Sequence, residues 1–347
     1  MATDIALFDY NLPQDLIAQF PTVRRDQSRL LILDRQTGTI QHLRFGDITG
    51  FLRRGDALVV NNTRVFKARL WGNRCSGGRI ELFLVRPAEP GTEHWEALVS
   101  PSRRLKPGEE ILFDNRQSVL LSTPLGNGRW RVQFKSVSAC RRIIATFGHV
   151  PLPHYIGRPD QPTDLRRYQT VFAAKEKTGA VAAPTAGFHF THPLIQQLKA
   201  KGVQVIELTL HVGPGTFKPV KCEHIEDHIV DPEYAEISSQ SATAINNIKQ
   251  QGGSLFVVGT TTVRTLESAA TDGGDVRPFA GFVSTYIKPG HNFRLVDHLI
   301  TNFHLPRSSL LILVSAFAGR ERILGCYREA IARGYRFYSY GDAMLIL

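Results

Sequence analysis

The sequence predicts an α/β fold: a mixed-sheet α/β domain made of residues 1–65 and 151–347, interrupted by an inserted β-barrel-like domain at 66–150. Three observations predict it. Apolar runs of strand length alternate with segments of helical period on both sides of the insert. Between them the chain breaks into short alternating runs (ARLWGNR, GGRIELFLVRP, HWEALVSP, EEILFD, SVLLS and GRWRVQF) separated by Gly, Pro and Asn, the texture of a small barrel or sandwich. A Pro-rich hinge, PLPHYIGRPDQP at 151–162, then returns the chain to the first domain.

Element by element, an extended opening arm leads into RLLILD (29–34), a Gln-Thr-Gly turn and a short amphipathic helix near Phe45 to Leu52. ALVV (57–60) is a short buried strand that ends in Asn61, Asn62, Thr63 and Arg64. Beyond the hinge, Thr191 caps a helix running to Lys201, with Leu194, Ile195 and Leu198 on one face and Gly202 just past its end. VQVIELTL (203–210) is a strand leading into His211, and SLFVV (254–258) is a strand leading into Gly259. Thr260 to Thr262 open the helix that follows, and a helix around Glu321 to Arg333 precedes the strand AMLIL (343–347). Three strands thus deliver polar residues at their C-terminal ends, where open α/β sheets hold ligands.

Composition narrows the function classes. A chain of 347 residues with 42% hydrophobic content can bury a full core. Its longest apolar run, LLILVSAFAG at 310–319, falls short of the ~18 residues a membrane helix needs. The N-terminus has no basic start or apolar core of a secretory signal, so a soluble, cytoplasmic protein is expected. Cys75, Cys140, Cys222 and Cys326 form no CxxC pair and read as free thiols. The net charge of +11 is uneven: residues 1–150 carry 22 Lys or Arg against 14 Asp or Glu, the remainder 20 against 17. Pairs such as Arg24 and Arg25, Arg53 and Arg54, Arg103 and Arg104, and Arg141 and Arg142 suit either phosphate contact or a solvated face.

Several motifs carry chemistry. His211-Val-Gly-Pro-Gly-Thr216 sets an imidazole at a strand end beside two glycines, and His189 lies in a second Gly-containing turn starting at Pro184. Each His is a proton-transfer candidate or a satisfied structural residue. Gly259-Thr-Thr-Thr-Val-Arg264 opens a helix whose free amides suit an anion, or whose threonines serve only as caps. Arg264 and Glu267, three apart, are candidates to pair with each other. Neither GxxxxGK[ST] nor GxGxxG occurs in a fitting context, which argues against NTP hydrolysis and nicotinamide cofactors. Cys222, His224, Glu226, Asp227 and His228 form the most metal-like run, with His224 and His228 on one helical face, but the pattern is not HExxH and no metal is expected. The polar groups of Asn302, His304 and Asp342 sit in apolar sequence, as internal staples or as substrate contacts.

Taken together, FDYNLPQDLIAQFP, GDALVVNNTRVFKARL, AVAAPTAGFHFT, LTLHVGPGTFKPV, VVGTTTVRTLES, TNFHLPRSSLLILVSAFAG and YRFYSYGDAMLIL closely resemble the S-adenosylmethionine:tRNA ribosyltransferase-isomerase family of queuosine biosynthesis. The chain departs from the family pattern at Asp231, where a second His of an HxxH pair is usual, at His154, usually Pro, and at His291, usually aromatic. The resemblance implies transfer and isomerisation of the ribosyl part of S-adenosylmethionine onto 7-aminomethyl-7-deazaguanine at the wobble position of a tRNA anticodon. The products are epoxyqueuosine-tRNA, adenine and methionine. S-adenosylmethionine is then a co-substrate, with no recycled cofactor. A nucleosidase or methyltransferase binding the same donor, and a non-catalytic RNA-binding module, are the competing readings.

On that resemblance, a base removes a proton beside the sulfonium and an acid assists adenine departure. His211 is the first expectation for the base, and His189 or His228, with Glu233 as orienting partner, for the acid. The expected substrate-binding set is Asn62, Thr63, Arg64, Thr185, Gly213, Gly215, Thr216, Thr261, Arg264, Asn302, His304 and Asp342. Arg103, Arg104, Arg141 and Arg142 are expected to grip the tRNA, and a monomer is expected.

Overall fold

The computed structural model describes residues 2–89, 91–114, 116–217 and 219–347. Among them, one sheet holds nine strands in the order Phe279–Val283, Glu233–Ile237, Gln204–Leu210, Ala57–Asn61, Leu255–Val258, His298–Asn302, Ala343–Ile346, Arg29–Leu33 and Ile40–Arg44. The four strands from Gln204–Leu210 to His298–Asn302 are mutually parallel, while both edges turn antiparallel. Ala57–Asn61 and Leu255–Val258, buried along their whole length, suit such a centre because helices cover both faces. The four parallel strands place their C-terminal ends along one edge of the sheet, and this builds the site.

A second sheet of seven strands runs Gly148–His149, Arg69–Arg74, Arg79–Pro87, His94–Ser100, Arg129–Phe134, Ser118–Gly126, Glu109–Leu112. Arg69–Arg74 also pairs with Glu109–Leu112, which closes six of them into an antiparallel barrel. At that seam a Cβ on Gly72 would lie 2.6 Å from the Ile111 side chain, so glycine is what lets the two strands meet. Inward residues such as Ile80, Leu82, Leu84, Ala97 and Val132 fill the barrel, as the alternating sequence requires. The mixed α/β sheet and the barrel are the fold class read from the sequence.

Individual elements follow their local chemistry. The helix His192–Ala200 begins where the Thr191 hydroxyl accepts the Leu194 amide and stops before Gly202, whose φ of +90° suits only glycine. Leu194, Ile195 and Leu198 are buried along one face. The run at 310–319 is the core helix Ser309–Ala318, capped by Ser308 and buried almost all round. Full burial of each of its large apolar side chains contributes about 1.5–3 kcal/mol. Among the described residues no helix is long and apolar enough to cross a membrane.

Two elements differ from expectation. The segment near Phe45 is a six-residue 3-10 helix, Phe45–Gly50, because Gly46 and Gly50 disfavour a full α-helix over so short a span. The barrel unit also contains an α-helix, Val137–Phe147, capped by Ser136, with Cys140 and Ile143 buried and Arg141 and Arg142 exposed.

Candidate active site

Where the four parallel strands end, the chain builds a cleft of about 580 Å3, solvent mouth included. Thr185 comes from the Pro184 turn, Thr216 from the His211 loop, Thr260 and Thr261 from the helix after Gly259, and Asn302 and His304 from the end of His298–Asn302. Gly259 has a φ of +86° and caps the helix Thr260–Ala269, so the amides of its first turn open toward the cleft. A second basin adjoins it, sharing Thr216 and Leu310, and is lined by His228, Asp231, Arg264 and Tyr286. Tyr338 in the cleft and Tyr286 in the basin have buried hydroxyls with no protein partner among the described residues. Tyr338 also holds a left-handed φ of +71°, the kind of strain that collects at functional sites. Unpaired buried hydroxyls and local strain around the cleft and the basin beside it mark a ligand site.

The loop from His211 to Thr216 is held from below. Glu233, 4% exposed at the start of Glu233–Ile237, accepts the Gly213 amide at 2.7 Å and the Thr216 hydroxyl at 2.8 Å through Oε1. Its Oε2 accepts from Arg264 Nη1 in a tight buried ion pair. Through Nε and Nη2, Arg264 donates to the carbonyls of Thr285 and Val283. It therefore orders the loop and does not pair with Glu267, whose carboxylate instead accepts the amides of Arg294, Leu295 and Val296. A Cβ on Gly213 would sit 3.5 Å from Glu233 Oε1, and one on Gly215 only 2.6 Å from Asp231 Oδ2. A side chain at 215 would have to push the Asp231 carboxylate aside. Asp231, standing where the resemblance leads one to expect His, is bound by Arg129 of the barrel at 2.6 Å.

The three candidate histidines occupy different positions. His189 is buried, its Nδ1 2.7 Å from Ser28 Oγ and its Nε2 3.1 Å from Asn302 Nδ2. The same Asn302 nitrogen donates to the Tyr338 carbonyl, which fixes the amide orientation and makes Nε2 an acceptor. Nδ1 therefore carries the proton and donates to Ser28. Burial and the cations Arg25 and Arg336 push its pKa down to about 3. With both nitrogens engaged, His189 is not poised as the acid; it aims Asn302, whose Oδ1 accepts from Thr185 in the cleft.

His211 also departs from expectation. Its ring turns from the cleft, with Nδ1 2.7 Å from Thr63 Oγ1, a face on Tyr234 and an edge so near Gly179 that a Cβ there would lie 2.7 Å away. Burial, with Lys177 adding to it, lowers its pKa. Val212 and Thr216, not His211, line the cleft. His228 does face the basin, packed edge-on against Tyr286, with neither ring nitrogen bonded to protein among the described residues. Burial holds its pKa below the ordinary value, and Asp231 opposes that shift.

The remaining candidates divide. Thr185, Thr216, Thr261, Asn302 and His304 line the cleft. His304 binds Thr301 Oγ1 at 2.8 Å, and burial takes it to about 3. Asp342 lies outside the lining of the cleft and the basin and acts as a staple: its oxygens accept the amides of Arg29 and Arg336 at 2.8 Å each, 2% exposed. Asn62 also faces elsewhere, bonding Glu207 and Thr209 and tying adjacent strands. Thr63 supports His211, and Arg64 lies in the short strand Arg64–Val65. Asn61, absent from the expected set, knits the site by bonding Leu210 and Thr261 from one strand end. The Cys222–His228 run forms no shared helical face, since Ile225–Asp227 is a single 3-10 turn and Glu226 accepts the Thr3 amide.

Burial of His189 and His304 in neutral form has a consequence for acid stability. The unfolded chain titrates near 6.5 and the folded one near 3, so between these values the unfolded state binds more protons and stability falls as pH drops. The slope of unfolding free energy against pH, measured by urea denaturation between pH 5 and 6, should correspond to uptake of at least about two protons, because His211 and His228, also lowered by burial, add to it with the same sign. A flat profile there would contradict the buried neutral assignment.

Residues 5–346 match the family described as queuosine biosynthesis protein. The chain is 48% identical to an S-adenosylmethionine:tRNA ribosyltransferase-isomerase of Pelobacter propionicus over 339 residues, covering 98% of each chain. It is 46% identical to the corresponding protein of Moorella thermoacetica over 344 residues, again covering 98% of each. Among solved structures it is similar to an S-adenosylmethionine tRNA ribosyltransferase from Thermotoga maritima, at 37% identity and a TM-score of 0.56, covering 98% of this chain and all of that one. With this match over nearly its whole length, the chain belongs to the queuosine biosynthesis protein family.

Proposed function

We propose that this chain is an S-adenosylmethionine:tRNA ribosyltransferase-isomerase. It transfers and isomerises the ribosyl moiety of S-adenosylmethionine onto 7-aminomethyl-7-deazaguanine at the wobble position of tRNA, giving epoxyqueuosine-tRNA, adenine and methionine. The observation that carries this reading is the cleft at the parallel strand ends, rich in hydroxyls and helix amides and continuous through Thr216 with a basin bearing an imidazole. Threonine hydroxyls and Asn302 suit the ribose of the donor, and the open amides after Gly259 suit its carboxylate. His228 is the proton-transfer group. Glu233 and Arg264 are positioning residues that hold Thr216 in place. The sulfonium acidifies the adjacent carbon, so a neutral imidazole is a sufficient base near pH 7.

The barrel, taken as an inserted domain over 66–150, presents Arg103, Arg104, Arg141 and Arg142 to solvent, placed to neutralise RNA phosphates. The protein acts as a cytoplasmic monomer, with S-adenosylmethionine consumed and no recycled cofactor. Mass spectrometry of the products from S-adenosylmethionine and tRNA carrying 7-aminomethyl-7-deazaguanine tests the reaction. Free adenine, methionine and an epoxyqueuosine nucleoside are expected. S-adenosylhomocysteine would indicate methylation, and an unconsumed donor would indicate binding alone.

A further inference from the structure

A third hollow lies between the barrel and the α/β sheet, about 1070 Å3 with its solvent mouth included. Phe83, Leu98, Val181 and Pro153 give it apolar walls, and Tyr155 borders both it and the cleft. Pro214 connects it to the loop that carries Thr216, so a group bound here abuts the cleft assigned above to the donor. At its barrel end, Arg69 donates to the Leu152 carbonyl and sets its Nε 3.0 Å from Glu81 Oε1. That close pair lacks hydrogen-bond alignment: the buried Arg69 Nε has no hydrogen-bond partner. The Glu81 carboxylate, 18% exposed, thus has its charge compensated while neither oxygen accepts a hydrogen bond among the described residues. A carboxylate on the wall of the hollow, open to it and free of protein donors, suits a ligand that offers two parallel donors.

We propose that this hollow receives the wobble nucleobase, turned out of the anticodon stack, and that Glu81 reads its N1–H and exocyclic 2-amino edge. The inference rests on the reaction proposed above and identifies the subsite for its acceptor. Enzymes acting on a base extrude it, read its Watson–Crick edge by hydrogen bonds and hold its faces between apolar side chains. A guanine-type base presents two donors side by side on that edge, where adenine and the pyrimidines do not. The C7 substituent projects from the other ring of the base. With the donor edge on Glu81, the aminomethyl group therefore points away from the barrel end, toward Tyr155 and the cleft. Glu81 is a specificity-determining residue, and the barrel contributes base recognition in addition to phosphate contacts.

The test is equilibrium binding of two anticodon stem-loops, one carrying 7-aminomethyl-7-deazaguanine and one carrying its analogue without the 2-amino group. The wild-type protein should prefer the first by about 10- to 100-fold, and E81Q should lose that preference. L98W, which fills the hollow, should weaken both stem-loops alike. S-adenosylmethionine binding, measured in parallel, should persist in both variants and serves as the check on folding. No preference in the wild type, or an undiminished preference in E81Q, overturns the subsite. Intact preference with no ribosyl transfer to the base overturns the reaction while leaving the subsite standing.

Discussion

Replacing Glu233 by Ala should destabilise the fold by about 3–5 kcal/mol and abolish turnover. The cost arises from what is left behind. Arg264, 5% exposed, would keep a buried guanidinium with no counter-ion, and the Gly213 amide and Thr216 hydroxyl would lose their acceptor. Thr216 borders both the cleft and the basin, so loosening it damages the two halves of the site together. Glu233→Gln separates the effects. It preserves volume and one acceptor, but its amide turns a donor toward either Arg264 or the loop, both of which donate. The Gln variant should therefore lose less stability than the Ala variant and nearly as much activity. Urea denaturation and single-turnover ribosyl transfer measure the two quantities. A stable, active Glu233→Ala protein would remove Glu233 from the machinery.

The scaffold of the site was legible where local chemistry and fold agree. Thr191 and Gly202 bound their helix because a hydroxyl cap and a positive φ are local requirements, readable without knowing the neighbours. Polar runs after ALVV, after VQVIELTL and after SLFVV announced a crevice because parallel strands place their C-terminal ends together. The strand His298–Asn302 was harder to see: His298, Thr301 and Asn302 interrupt its apolar residues, although four of its five residues are buried. The helix Val137–Phe147 was hidden by the strand-rich segment around it, although Ser136 with Cys140 and Ile143 on one face was a usable signal.

Side-chain roles were less legible because they depend on which face of a loop turns inward. His189 and His211 both sit in glycine-bearing loops, and nothing local says that one is sealed between Ser28 and Asn302 while the other leans on Thr63. Asp342 was ambiguous for the same reason: a carboxylate binding two backbone amides and one binding a substrate have the same sequence. Glu81 carried no signal at all, since its meaning comes from Arg69 on the paired strand and from the hinge residues that close the hollow. The family resemblance supplied the reaction, and the geometry redistributed the residues within it.

That redistribution has its sharpest consequence at His228, where substitution by Ala should lower kcat by about 10²- to 10⁴-fold. The pH profile discriminates a proton-transfer role from a structural one. Burial disfavours the charged imidazole, so the His228 pKa lies below its ordinary value and the ring is neutral at pH 7. Asp231 pulls the other way, but its own charge is engaged by Arg129 at 2.6 Å, which blunts that pull. A neutral base loses activity as pH falls through its pKa, so the wild-type rate should decline on an acidic limb below about 6.5. His228→Ala should abolish that limb along with most of the rate. His211→Asn, which leaves the basin unchanged and can still bond Thr63, should retain the limb even if its rate is reduced. Were the limb to survive in His228→Ala and vanish in His211→Asn, the base would be the imidazole facing Thr63. The His211 loop would then have to turn that ring toward the donor before reaction.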